Sequence, residues 1–316
     1  MRTAGEWPIE YEVLGDPLHP AIVLIMGLGM QLTSWPDALC QTLVAGGYRV
    51  VRLDNRDSGL SARAPAGKLP GVWQAVAATL LRLPLRIPYQ LHDMAADAVC
   101  VMDALQIDRA HVVGASMGGM IAQVLAAQFP HRVLSLTSIM SSSGNPRLPL
   151  PTRPARRALL SRPADSGNLD SVVDHLVQVF GVIGSPAYPE PEGSLRERVH
   201  RGVLRAYDPP ATQRQLLAVI RSGDRRPLLR RIQASTLVIH GRADPLVPLA
   251  AGQDTAANVP GARLLVIDGM GHDLPGALLG QIAAAILAHC DAAQIRPINS
   301  STTMMITTSP SPPLGP

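Results

Sequence analysis

Gly114-Ala115-Ser116-Met117-Gly118 is a G-x-S-x-G pentapeptide, preceded by the aliphatic run 110–113 and followed by a helix-forming stretch from Met117. A serine on such a strand-to-helix turn is held with its hydroxyl projecting and its backbone strained. Glycines on both sides are needed because a Cβ there would strike the adjoining strand and helix. A serine hydroxyl is a weak nucleophile near neutral pH, so it needs an adjacent base, and the base needs an orienting group. Two loops carry these residues in the chain order Ser, Asp, His. Gly241-Arg242-Ala243-Asp244-Pro245 puts Asp244 just past a predicted strand over 236–240, and Gly269-Met270-Gly271-His272 puts a histidine just past a predicted strand over 263–267. The pattern points to Ser116 as nucleophile, His272 as general base and Asp244 as the acid that orients the base. The competing expectation is a serine that merely caps a helix.

Other residues near these loops are assigned plainer roles. His240, at a strand end, is expected to pack or to hold a loop, Asp268 to stabilise a turn, and Asp273 to cap a helix. An acyl-transfer site also needs two backbone donors for the developing oxyanion, one after the nucleophile and one from the loop after an early strand. The first is the Met117 amide. The second is the Leu28 amide in Met26-Gly27-Leu28-Gly29. Met26, Met30, Met140 and Met270 fall on loops or strand ends around these residues and are expected either to line an apolar pocket, since methionine moulds itself around varied apolar groups, or to fill the core beneath the site.

The elements that must position these residues alternate as β-α units of a mostly parallel sheet. Strands are predicted over 9–14, 21–26, 49–53, 110–113 and 134–140, and helices over 35–45, 91–105 and 117–129. The rhythm breaks at Gly144. Residues 145–163 are rich in proline and arginine, and 169–232 turn helical with no strand candidate. A strand-helix pattern then resumes with 236–240, a helix after Pro248, 263–267 and a closing helix over 274–289. The expected organisation is a core over 1–144, an inserted helical lid over 145–232, the rest of the core over 233–295 and a disordered tail over 296–316. The segment 71–88 is either a helix beside the site entrance or a surface excursion.

Bulk properties exclude several classes. Of the 316 residues 47% are hydrophobic and 16% charged, which is ample for a buried core. The net charge of +4 rests on arginine, Lys68 being the only lysine, and the arginines are dispersed, so no nucleic-acid partner is expected. Cys40, Cys100 and Cys290 have no metal-ligand spacing and suggest neither a zinc site nor a disulfide framework. No signal-peptide segment and no apolar run of membrane-spanning length is found in the sequence, so a cytoplasmic location and no membrane span are expected.

The chain resembles the α/β-hydrolase superfamily over roughly its first 290 residues, and within it the aclacinomycin methylesterase-type esterases. The resemblance is carried by Gly15-Asp16-Pro17, Met26-Gly27, Ser34-Trp35-Pro36, the stretch from Asp54 to Ser61, the stretch from Met94 to Val99, the stretch from His111 to Gly119, and Gly269-Met270-Gly271-His272. It departs from many relatives in having Met26-Gly27 where they have His-Gly. The resemblance implies an α/β-hydrolase fold with an inserted helical lid. It also implies two-step hydrolysis of a carboxylic ester of an apolar small molecule, without a cofactor or metal. The stretch from Asp54 to Ser61 is implied to be a structural loop. Lactone hydrolysis, carbon-carbon bond hydrolysis and cofactor-free perhydrolysis use the same triad, and a ligand receptor on the hydrolase fold is the non-enzyme alternative.

Overall fold

The computed structural model describes residues 1–3, 7–81 and 83–295. Seven strands form one sheet: β1 (Tyr11–Leu14), β2 (Ala21–Ile25), β3 (Arg49–Leu53), β4 (Ala110–Ala115), β5 (Val133–Ile139), β6 (Ser235–Gly241) and β7 (Arg263–Ile267). Their order is β1-β3-β2-β4-β5-β6-β7, with β1 antiparallel to β3 and every other pairing parallel. The fold is therefore the α/β-hydrolase fold expected from the sequence. The registers set the carboxyl ends of the central strands side by side: Gly114 lies opposite Ile25, and Ile139 lies between Ala115 and Ile239. Open parallel sheets bind ligands beyond these ends.

Successive residues of the central strands feed opposite faces, as a strand's period of two requires. Val23 and Ile25 join the core under α3 (Leu91–Ala104) and α4 (Met117–Gln128). Ile22 and Leu24 join the core under α1 (Asp37–Ala45) and α11 (Leu279–Ile295). The last crossover helix of the sheet, α10 (Leu249–Asn258), packs on β6 and β7.

Between β5 and β6 the chain forms α5 (Arg153–Leu160), α6 (Leu169–Ile183), α7 (Glu192–Arg205), α8 (Pro209–Ser222) and α9 (Arg226–Leu229). Helices α6 and α7 share a small core of Val173, Leu195 and Val199. α5 arises inside the proline- and arginine-rich stretch where no helix was foreseen. The Thr152 side chain caps it by accepting from the Ala155 amide at 3.3 Å, and Pro154 sits in the first turn, where its missing N–H leaves no acceptor unpaired. The closing helix begins at Leu279 rather than 274, because Pro275 and the short 3-10 turn Gly276–Leu278 precede it, and it continues to Ile295. Residues 71–88 supply α2 (Val72–Leu80), which packs on α8.

Where the sequence was read as having no apolar run of membrane-spanning length, the stretch Gly276–Ile295 is long and apolar enough, by length and composition, to cross a bilayer. In the fold its Ile282, Ala283, Ile286 and Cys290 are buried in the core shared with α1. The tail over 296–316 lies outside the described residues.

Candidate active site

Ser116 stands between β4 and α4 with φ 54° and ψ −119°, a backbone conformation that an L-residue adopts only under constraint. The constraint comes from both sides. The Ser116 amide donates to the Ile139 carbonyl at 2.9 Å, and the Ser141 hydroxyl donates to the Ser116 carbonyl at 2.8 Å. A Cβ at Gly118 would overlap the Ile25 carbonyl of β2, and one at Gly114 would overlap the Gly118 carbonyl. The strand and helix can thus approach only with glycine at both places. Although Ser116 occupies the N-cap position of α4, its hydroxyl makes no capping bond. It points instead at His272, with Oγ and Nε2 2.9 Å apart.

The other ring nitrogen of His272 faces the acid, with Nδ1 2.7 Å from Asp244 Oδ2. A carboxylate only accepts, so Nδ1 carries the proton and Nε2 is left to accept from Ser116. Asp244 and His272 are both buried. The loop bearing His272 is held by the insertion as well as by the end of β6, where the Ala243 amide donates to the Met270 carbonyl at 3.0 Å. The His272 amide donates to the Ile183 carbonyl at the end of α6, and the Gly271 amide donates to the Ser185 hydroxyl, both at 2.8 Å. Ser185 in turn donates to Asp273, whose carboxyl burial holds above the usual range. Asp273 therefore braces this loop and does not cap a helix, contrary to the sequence expectation.

His240 is fully buried behind Asp244. Its Nε2 donates to the Val247 carbonyl at 2.7 Å and lies 3.7 Å from Asp244 Oδ2, while among the described residues its Nδ1 has no partner. Burial pushes its pKa down, so it stays neutral and does not compete for the charge of Asp244. Asp268 points outward and pairs with Arg242; its side chain is 81% exposed.

The turn after β2 lies beside Ser116: an ideal Cβ at Gly27 would sit 3.2 Å from the Ser116 Cβ. The Met30 amide closes the turn onto the Gly27 carbonyl at 3.1 Å. Asn55 and Ser58 hold it from below by donating to the Met26 and Met30 carbonyls at 2.8 and 2.6 Å. Among the described residues no acceptor faces the Leu28 or Met117 amide. Of the four methionines expected in the pocket or in the core beneath it, Met26, Met140 and Met270 are packed in the core under α1 and α11, because their strand-end positions turn them beneath the site. Met30 keeps a partly exposed edge.

A gap of about 300 Å³ between α2 and α8 is lined by Val76, Leu80, Met120, Ser142, Ile220 and Arg225, and by none of Ser116, Asp244 or His272. Among the described residues no group of three or more His, Cys, Asp or Glu side chains is placed to hold a metal ion.

Known proteins resemble this chain closely enough to be compared with it. The family described as alpha/beta hydrolase fold matches residues 20–172. The rhodomycin D methylesterase of Streptomyces peucetius is 31% identical over 93% of this chain and 99% of its own length. That of Streptomyces sp. strain C5 is 30% identical with the same coverage. Among solved structures, a meta-cleavage product hydrolase from Pseudomonas fluorescens IP01 superposes with a TM-score of 0.71 at 18% identity, covering 93% of this chain and 98% of its own. The enol-lactonase from Burkholderia xenovorans LB400 does so with a TM-score of 0.67 at 23% identity, covering 90% and 97%.

Proposed function

Because the chain belongs to the α/β-hydrolase family, we propose that it is a serine esterase that hydrolyses a carboxylic ester of an apolar small molecule. The observation that carries this reading is the unbroken relay from Ser116 Oγ through His272 to Asp244, at 2.9 and 2.7 Å. Ser116 Oγ attacks the ester carbonyl carbon as His272 Nε2 takes its proton. The negative charge that moves onto the carbonyl oxygen is met by the Leu28 and Met117 amides. Collapse of this adduct expels the alcohol, which receives the proton from His272. Water then attacks the acyl-enzyme with His272 again as base, which releases the acid and restores Ser116. No cofactor enters the sequence.

The two methylesterase relatives, matched over 93% of this chain, favour a methyl ester as the scissile group. The apolar edges of Leu28 and Met30 favour an uncharged body for the substrate. The helices α5–α9 act in this reading as the lid over the bound ester. The test is covalent labelling by a fluorophosphonate, read by mass at the peptide containing Ser116, together with hydrolysis of apolar methyl esters. A receptor built on this fold would bind such molecules without forming the adduct, and an unlabelled Ser116 would reject the esterase reading.

A further inference from the structure

Helix α8 meets the turn after β2 at its tightest point. Gly29 has φ +66°, the left-handed conformation that a type II turn requires at its third residue, and an ideal Cβ there would lie 3.0 Å from Thr212 of α8. One helical turn from Thr212, the fully buried Gln215 accepts from the Gly29 amide through Oε1 at 2.8 Å and donates through Nε2 to the Arg56 carbonyl at 2.8 Å. Its neighbour Arg214 is clamped onto Asp57 by two bonds of 2.8 and 2.7 Å, so the register of α8 against this loop is fixed. Arg56 is itself held by a buried two-point contact with Asp97, both bonds at 2.6 Å.

From this we infer that Gln215 is a positioning residue for the oxyanion turn, which makes α8 part of the catalytic apparatus and not only a cover over it. The inference rests on the esterase reading above. The Leu28–Gly29 peptide is the middle unit of the turn, the one that rotates when a type II turn converts to type I. Among the described residues the Gly29 N–H donates to Gln215. That bond holds the plane beside the Leu28 amide. Without it the Leu28 N–H loses its fixed aim at the place where negative charge develops, and preorganised aim is what makes such a donor effective. The substrate's ground-state contacts are left as they were.

The test compares Gln215→Leu and Gln215→Glu in the full chain, with Ser116→Ala as the reference for the underlying reading. The readouts are p-nitrophenyl butyrate kinetics and the rate of fluorophosphonate labelling. Leucine has a similar volume but no acceptor for the Gly29 amide. Glutamate keeps that acceptor and loses the donor to Arg56. If Gln215 positions the turn, Gln215→Leu lowers kcat and the labelling rate about tenfold or more, within the 10²–10³ attributed to a whole oxyanion donor, with KM within about twofold. Gln215→Glu then retains more of the wild-type rate than Gln215→Leu. A buried structural glutamine predicts the reverse order, because an apolar isostere is tolerated better there than a carboxylate. That reverse order, or wild-type kcat in Gln215→Leu, overturns the inference. Labelling of Ser116→Ala at the wild-type rate overturns instead the esterase reading on which it stands.

Discussion

Asp244 divides its two carboxylate oxygens between His272 and its own loop. Oδ2 accepts a hydrogen bond from His272 Nδ1 at 2.7 Å, while Oδ1 accepts from the Leu246 and Val247 amides at 2.9 and 2.7 Å. The carboxylate is thereby fixed against its own loop as well as against the ring. Asp244→Asn is expected to lower kcat by about three to four orders of magnitude, since an amide donor at this position favours the wrong tautomer of the histidine. Asp268→Asn removes only an exposed pairing with Arg242 and is expected to leave kcat within about twofold. Steady-state kinetics on the two variants checks both, and a strong loss in Asp268→Asn alone would reassign the acid.

Ser116→Ala is expected to fold normally and to lose turnover by at least about a thousandfold, because binding and oxyanion stabilisation remain but no acyl-enzyme can form. Intact-protein mass after fluorophosphonate treatment should show the adduct in the wild type and none in the variant.

Asp57 joins the core loop to the insertion. It has φ 64°, accepts from Arg214 twice, from the Tyr89 hydroxyl at 2.6 Å and from the Ala64 amide at 2.9 Å, and is almost wholly buried. Removing one member of a buried pair leaves the other charge uncompensated, which costs on the order of 3–5 kcal/mol. Arg214→Met should therefore shift the urea midpoint strongly downward. An unchanged midpoint would show that the pair is not needed to hold α8 on the core.

Stability should fall on acidification before the carboxylates titrate. Burial, reinforced by neighbouring His289, pushes the His111 pKa down to about 4, and burial likewise lowers those of His240 and His289. In the unfolded chain these rings titrate near 6.5, so below about 6.5, and for His111 down to about 4, the unfolded state binds the extra protons. The contribution is fully present above that window and is lost as the pH drops through it. For His111, held by the Ser135 hydroxyl at 2.8 Å, it is on the order of a few kcal/mol. Urea midpoints measured from pH 7 to 4 should decline, and His111→Asn should flatten the decline. A flat wild-type profile would contradict the assignment.

The sheet and the order of the site residues were legible because both leave local marks. The aliphatic runs at 49–53 and 263–267 coincide with β3 and β7, and the glycines around Ser116 announce a close approach that the backbone of β2 then makes. What was not legible depends on partners distant in the chain. Gln215 reads as an ordinary helix-interior residue, and nothing near it indicates that its oxygen meets an amide 186 positions earlier. Ser185 is equally silent until it meets Gly271 and Asp273. The methionines left two readings open for a related reason, since sequence places them at strand ends but does not say whether a side chain turns above the sheet or below it.

The insertion also bears on how the chain is made. β5 ends at Ile139, and the strand that covers its open edge, β6, begins only at Ser235. At about 5–20 residues per second a ribosome needs roughly 5 to 20 s to supply that strand. Throughout this interval the nascent sheet presents an unpaired, aliphatic border containing Leu136 and Ile139, the kind of edge that recruits other chains. The helices α5–α9 are the first material available to shield it, so their early collapse onto the half-built sheet would guard the newborn chain against aggregation.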